Sequence, residues 1–281
     1  MPKTDPAERR KLTLDGITKR LERAGVPDPR FDALCLAEAF TGLPRAAILA
    51  DRSRELCGGG LEAAVARREK REPLQYILGE WEFMGLPFYV SPSCLIPRPD
   101  TELLCETAIR ALPEGGRLLD MCTGSGCVAV AAASRRPDVT AVGADISGDA
   151  ISTAVKNAER NGVADRVSFV IHDVRTPWET AGVFDAAAAN PPYVTAEEMK
   201  SLEPELAFEP ELALTDGGDG LSLIRAFVSL AVRAVKKSGT VAVEHGSLQG
   251  EKVRMIFRER GLDPVTLDDI GGNPRVTAAV I

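Results

Sequence analysis

The sequence has few of the residues that most metal sites and disulfide frameworks require. It contains two histidines, His172 and His245, which argues against a histidine-rich metal centre. Its six cysteines include no Cys-x-x-Cys pair and no regular paired spacing. This pattern favours reduced thiols and a cytoplasmic protein. We therefore expect no bound metal and no disulfide framework.

Long apolar runs and an excess of positive charge are also missing. The longest runs of small apolar residues, 128–133 and 186–189, are too short to span a bilayer. The charged segment that opens the chain has no apolar core, so we expect no signal peptide. The 34 basic and 41 acidic residues give a net charge of −7, which argues against a dedicated nucleic-acid binder. We expect neither a membrane nor a nucleic acid as a partner.

Three patterns divide the chain. Residues 1–78 show apolar residues at helical spacing, interrupted by Gly and Pro, and predict a small helical bundle. Within it, the basic run at 67–71 is predicted to be a solvated helix face. Residues 79–98 contain aromatic and β-branched residues around a Gly-Leu-Pro turn and predict a hairpin linker. Residues 99–281 alternate between short apolar strands and helices and are predicted to form a separate α/β domain.

The alternating region predicts an α/β fold. Its predicted strands end close to residues 122, 145, 173, 190 and 246, and two further strands close the chain. Apolar strands separated by helices form a mostly parallel, doubly wound sheet that is covered on both faces. Ligands of such sheets bind where the carboxyl ends of the strands meet. The residues at these strand ends are therefore the candidates for function.

The first of these strands runs into a glycine-containing turn with the sequence DMCTGSGC, residues 120–127. Gly124 and Gly126 stand where a strand becomes a helix, so the backbone there can approach a ligand closely. The second strand ends at Asp145, whose carboxylate can accept hydrogen bonds from ribose hydroxyls. This pairing indicates a nucleoside cofactor, either a dinucleotide or S-adenosylmethionine. Asp173 ends the third strand and is either an acceptor for an adenine amino group or a loop residue.

The fourth strand ends in Asn190, Pro191, Pro192 and Tyr193. Two consecutive prolines cannot continue a central strand, because neither has an N–H for the sheet. Asn190 supplies an amide, the prolines supply rigid carbonyls, and Tyr193 supplies a flat face and a hydroxyl. This set suits a substrate that presents an NH₂ group on a planar system. Accepting its hydrogens on Asn190 and on the Pro191 carbonyl would orient the nitrogen for attack on a methyl sulfonium.

The chain resembles a known family at these motifs. The Asn-Pro-Pro-Tyr signature is similar to that of class I S-adenosylmethionine-dependent methyltransferases that modify base amino groups or glutamine amides. The stretches PLQYILGEWEFMGLPFYV (73–90), LIPRPDTELL (95–104), LLDMCTGSGCVAVA (118–131), FDAAAANPPYV (184–194), FEPELAL (208–214) and GGDGL (217–221) resemble the HemK/PrmC glutamine methyltransferases. These enzymes act on class 1 peptide chain release factors. The resemblance covers most of residues 70–280 in the same order.

The resemblance implies a seven-stranded class I methyltransferase domain over residues 99–281 and a substrate-recognition role for residues 1–78. It implies that residues 190–193 hold and activate the glutamine of a Gly-Gly-Gln motif in the release factor. It also implies an S-adenosylmethionine site that is formed by Cys122, Thr123, Gly124, Ser125, Gly126, Asp145, Asp173, Val174 and Asn190. Val174 departs from the family, which often has an aromatic residue at this position.

The sequence leaves several alternatives open. A glutamine methyltransferase of a large-subunit ribosomal protein shares the glycine turn, and an N6-adenine nucleic-acid methyltransferase shares the Asn-Pro-Pro-Tyr signature. A dehydrogenase that binds NAD, or a partner protein without catalysis, gives residues 190–193 no chemical task. Asp100 is expected to cap the next helix, and Glu102 either approaches the cofactor or favours that helix end. We expect a monomer.

Overall fold

The computed structural model describes residues 12–281, so the first eleven residues of the predicted helical region lie outside it. The described residues form two compact units. One contains the residues up to Gly79 together with Pro204–Phe208, and the other contains Glu80–Glu203 and Glu209–Ile281. No helix among residues 12–281 combines the length and apolar character that crossing a membrane requires.

The first unit is a helical bundle. Its first helix buries one apolar face, on which Leu14, Ile17 and Leu21 are almost fully buried. The Thr13 hydroxyl caps that helix by accepting from Gly16 N at 3.1 Å. The helix at Leu74–Leu78 was not predicted by the sequence pattern. Within residues 12–79 the helices are α1 (Leu14–Arg23), α2 (Pro29–Thr41), α3 (Arg45–Ala50), α4 (Leu61–Glu69) and α5 (Leu74–Leu78).

The predicted solvated face at residues 67–71 is wrong for Arg68. This side chain is buried, with 4% of its surface exposed, and it donates to Asp32 at 2.6 Å. It also donates to Glu205 at 2.9 Å, and Arg71 forms two further bonds to the same carboxylate. A buried charge requires such partners. The sequence could not show them, because Glu205 comes 137 residues after Arg68.

The second unit begins with an antiparallel hairpin and continues as an alternating α/β region. Its helices are α6 (Asp100–Ala111), α7 (Cys127–Arg135), α8 (Gly148–Arg160), α9 (Ser222–Ala234) and α10 (Gly250–Arg258). Its strands are β1 (Glu80–Phe83), β2 (Leu86–Tyr89), β3 (Arg117–Met121), β4 (Thr140–Asp145), β5 (Val167–Ile171), β6 (Phe184–Ala189), β7 (Val235–Glu244), β8 (Val265–Asp268) and β9 (Pro274–Val280). Three 3₁₀ segments that the sequence did not predict lie between β6 and α9, at Glu198–Ser201, Pro204–Phe208 and Glu211–Ala213.

Seven strands form one sheet in the order β5-β4-β3-β6-β7-β9-β8. The first five pair in parallel, and β9 pairs antiparallel with both β7 and β8. Buried apolar residues cover both faces of the sheet in two clusters. The predicted α/β fold, a doubly wound seven-stranded mostly parallel sheet with a helical N-terminal region, is confirmed.

The strand order places two of the predicted motifs side by side. The chain moves outward from β3 to β4 and β5, and then returns to pair β6 on the other side of β3. This reversal is the switch point at which doubly wound sheets bind ligands. The glycine turn follows β3 and the Asn-Pro-Pro-Tyr segment follows β6, so both lie at the carboxyl edge of neighbouring strands.

Candidate active site

A cavity of about 280 Å³ opens at this switch point. It is lined by residues that follow β3, β4, β5 and β6, by the segment 95–98 and by part of the loop that precedes α9. Among the predicted site residues, those that line it are Cys122, Thr123, Gly124, Ser125, Asp145, Asp173, Val174, Asn190 and Pro192. Gly126, Pro191 and Tyr193 lie next to these residues in the chain but do not line the cavity.

The turn after β3 has an uncommon backbone. Cys122, Gly124 and Gly126 have φ values of 58°, 54° and 80°. A Cβ on Gly124 would meet a single atom within 4 Å, Cys94 Cβ at 3.9 Å, so this stretch of backbone faces open space. Gly126 instead faces the protein, where a Cβ would lie 3.0 Å from Ala154. Burial raises the pKa of the Cys122 thiol well above its usual range, which agrees with a turn residue and not a nucleophile.

Asp145 holds the glycine turn against the end of β4. Its Oδ2 accepts from Gly124 N and its Oδ1 from Ser147 N, both at 2.9 Å. Burial raises the pKa of the carboxyl, and the backbone donors oppose that rise. The carboxylate therefore keeps the turn in place while it lines the cavity.

Asp120, at the end of β3, is a second buried carboxyl in this region. One oxygen, Oδ2, accepts from both Thr123 Oγ1 at 2.5 Å and Ala129 N at 3.1 Å. These bonds connect β3 to the turn and to the start of α7. Burial raises the pKa of Asp120 to about 7.

We expect the substitution Asp120→Asn to change how stability depends on pH. The pKa of Asp120 rises from 3.8 in the unfolded chain to about 7 in the folded one. The stability gained from the protonated folded form is therefore complete below pH 3.8 and is lost as the pH rises through 7. Since both bonds end on one oxygen, an asparagine can keep them. Urea unfolding should show the native protein losing a few kcal/mol relative to Asp120→Asn between pH 4 and 8, at about 1.4 kcal/mol per pKa unit. Parallel curves for the two proteins would contradict this.

The residues after β5 contribute one charged pair and one apolar contact. Arg175 donates to both carboxylate oxygens of Asp173 and lowers its pKa. Val174 is buried in the apolar cluster that includes Phe184. Its side chain thus fills the core beneath the cavity.

Some residues of the Asn-Pro-Pro-Tyr segment line the cavity, and the others lie in the protein interior. Asn190 Nδ2 donates to the Thr101 hydroxyl at 3.0 Å, which leaves Oδ1 as its acceptor. Pro191 and Pro192 are buried. The Tyr193 hydroxyl donates to Glu244 Oε1 at 3.1 Å, and burial raises the pKa of that tyrosine.

The segment before α6 and the first turn of α6 form contacts that the sequence did not predict. Asp100 is the first residue of α6 and does not cap it; Pro99 occupies the cap position without a side-chain bond. The Glu102 carboxylate accepts from Met84 N at 2.9 Å, in the β1–β2 turn. Glu209 accepts from Ile96 N at 3.0 Å and from the Arg98 guanidinium. That carboxylate fixes the two segments that border the cavity on this side.

Two family models match the chain. The PrmC N-terminal domain matches residues 13–79, and the methyltransferase small domain matches residues 99–244. Two curated proteins named release factor glutamine methyltransferase, from Geobacter sulfurreducens and Nitratidesulfovibrio vulgaris, are both 40% identical to this chain. The first alignment covers 95% of each chain, and the second covers 90% of this chain and 89% of the relative. The chain belongs to the release factor glutamine methyltransferase family. The Escherichia coli protein of the same name is 38% identical over 89% of this chain and 91% of its own length.

The sequence patterns did not mark three buried acidic residues as parts of the site. These are Asp120, Glu209 and Glu244. Asp120 and Glu244 stand at or next to the carboxyl end of an apolar strand. An acidic residue at that position is itself a signal, because a charge is rarely placed there unless a partner or a ligand requires it. Glu209 had no such signal from a strand end, since it lies in an irregular loop, but it stands within the FEPELAL stretch (208–214) that resembles the family.

Proposed function

We propose that this protein transfers a methyl group from S-adenosylmethionine to the side-chain amide nitrogen of the glutamine in the Gly-Gly-Gln motif of class 1 peptide chain release factors. The observation that carries the proposal is the position of Asn190. Its amide lies at the cavity that the glycine turn and Asp145 also line, and its nitrogen is already bonded to Thr101. The amide oxygen is left to accept a hydrogen bond from a substrate.

The residues at the cavity fit the methyl donor. Gly124 presents open backbone, Asp145 offers a carboxylate for ribose hydroxyls, and the buried Ser125 hydroxyl has no hydrogen-bond partner among the described residues. We assign Cys122 to Gly126, Asp145, Asp173, Val174 and Asn190 to this donor site. When bound, S-adenosylmethionine supplies an electrophilic methyl group on a sulfonium, which leaves the sulfur as a neutral thioether after transfer.

The amide nitrogen of glutamine is a poor nucleophile because its lone pair is delocalised into the carbonyl. We assign residues 190–193 to overcoming this. Asn190 Oδ1 and the Pro191 carbonyl accept the two amide hydrogens, which orients the lone pair and raises its electron density. The Pro191 carbonyl accepts no hydrogen bond from the described residues. After transfer the nitrogen loses a proton to water, so no strong base is needed.

The proposal divides the chain into three parts. We assign residues 1–78 to recognition of the release factor, residues 79–98 to a hairpin linker, and residues 99–281 to the methyltransferase domain. The match of residues 13–79 to the PrmC N-terminal domain supports the first assignment. Because the proposed substrate works in translation, we place the reaction in the cytoplasm, and we propose that a monomer performs it.

Transfer of labelled methyl groups tests the proposal. The purified protein is incubated with labelled S-adenosylmethionine and a class 1 release factor, beside the same factor with Gly-Gly-Gln changed to Gly-Gly-Ala. We expect label on the intact factor and none on the altered factor. A large-subunit ribosomal protein and DNA are tested in parallel. Label on either of these, with none on the factor, would overturn the proposed substrate.

A further inference from the structure

Glu244 is a buried carboxyl that the proposed reaction does not yet use. It ends β7, next to β6, which Asn190 follows, and 1% of its surface is exposed. Its Oε1 accepts from the Tyr193 hydroxyl, but its buried Oε2 has no hydrogen-bond partner among the described residues. A buried carboxylate oxygen without a donor is unfavourable, so its place beside the active site requires an explanation.

Thr101 is the group between Glu244 and Asn190. This buried threonine on α6 accepts from Asn190 Nδ2, and its own hydroxyl proton has no acceptor in the bonds described above. The Thr101 and Tyr193 hydroxyls oppose the effect of burial on the Glu244 pKa, so both hydroxyls lie close to this carboxyl. One hydroxyl with a free proton thus lies beside one carboxylate with a free oxygen.

The direction of these hydrogen bonds fixes the Asn190 amide. A hydroxyl has one proton to donate. If an ionised carboxylate takes the Thr101 proton, the Thr101 oxygen can only accept from Asn190, so the amide nitrogen faces Thr101. We propose that Glu244 is a positioning residue that orients the Asn190 amide through Thr101, so that its oxygen faces the glutamine. This inference rests on the proposed function and adds a residue to it.

The same chain of bonds makes the orientation depend on the charge of Glu244. A protonated Glu244 donates to Thr101 and no longer takes the Thr101 proton, so Thr101 can donate that proton to the Asn190 oxygen. The Asn190 oxygen would turn toward Thr101, and its NH₂ group would meet the NH₂ group of the substrate. Besides the two hydroxyls, Arg275 on β9 lowers the Glu244 pKa and Asp100 on α6 raises it. The Cys127 thiol on α7 is also close enough for Glu244 to raise its pKa. Burial exceeds these effects and raises the Glu244 pKa to about 7.

The test is the pH profile of kcat/KM for release-factor methylation. For the native protein we expect kcat/KM to rise with pH by about 10- to 100-fold and to level off above about pH 7, since the ionised form orients Asn190 correctly. In Glu244→Gln, which cannot ionise, we expect kcat/KM to fall about 10- to 100-fold at pH 8 and the step near pH 7 to disappear. Glu251→Gln, an exposed glutamate on α10, is the matched control and should keep the native profile.

Thr101 provides the second arm, which does not depend on how Glu244→Gln folds. Thr101→Val removes the hydroxyl and should lose as much activity as Glu244→Gln. Thr101→Ser keeps the hydroxyl and should keep the native activity. In the double variant Glu244→Gln/Thr101→Val, we expect kcat/KM to fall no further than in the more impaired single variant, because both residues act on one amide. Thermal unfolding and S-adenosylmethionine affinity, measured by calorimetry, separate this result from a general loss of structure.

Two results would overturn the inference. One is a native pH step that persists in Glu244→Gln, and the other is independent, multiplying losses in the double variant. The failure of the proposed function looks different, because the native protein would then fail to label the release factor at any pH.

Discussion

Replacing Asn190 with alanine is expected to lower kcat/KM for release-factor methylation about 10²- to 10³-fold, the range seen when one preorganised polar contact to a reacting group is removed. The variant loses the acceptor that would hold the glutamine amide, while the Thr101 side chain stays in place. Steady-state label transfer at several release-factor concentrations checks this. The loss should appear mainly in kcat, since the contact strengthens as positive charge develops on the nitrogen.

A matched control exists at the other edge of the sheet. Asn161 caps the C-terminal end of α8, where its Nδ2 donates to the Pro87 carbonyl at 3.0 Å. Asn161→Ala removes the same chemical group far from the cavity and should keep native kcat/KM. If Asn190→Ala retained more than about a tenth of the native rate, the assigned role of this amide would be wrong.

Replacing Asp145 with alanine is expected to act on the methyl donor instead. The variant removes the proposed acceptor for the ribose hydroxyls and releases Gly124 N, which Asp145 bonds at 2.9 Å. Loss of hydrogen bonds to a charged group amounts to about 1.5–3 kcal/mol. This corresponds to a roughly 10- to 150-fold higher Kd for S-adenosylmethionine, which calorimetry can measure directly.

Asp149→Ala is the control for this variant. Asp149 is an exposed residue in the first turn of α8, four positions after Asp145. It should leave the Kd within about twofold of the native value, because exposed charges of this kind contribute little. An unchanged Kd in Asp145→Ala would remove this carboxylate from the donor site. A raised Kd for a bound dinucleotide instead would point to the dehydrogenase alternative.

The sequence by itself determined the fold class and one side of the site. Strands alternating with helices predict a doubly wound sheet because each strand needs apolar cover on both faces. Strand ends are marked by local signals that need no tertiary information: two glycines at a turn after β3, a carboxylate at the end of β4, and two prolines after β6. These signals located Gly124, Asp145 and Asn190, and all three line the cavity.

The tertiary structure decided which residues support that site, because the contacts join distant parts of the chain. Asn190 bonds Thr101 across 89 residues, and Tyr193 bonds Glu244 across 51. The first contact depends on α6 packing against β6 and the second on β6 pairing with β7, and local patterns specify neither. Arg68 shows the same limit: its pattern indicated a solvated face, and only the fold supplied the carboxylates that allow a buried charge.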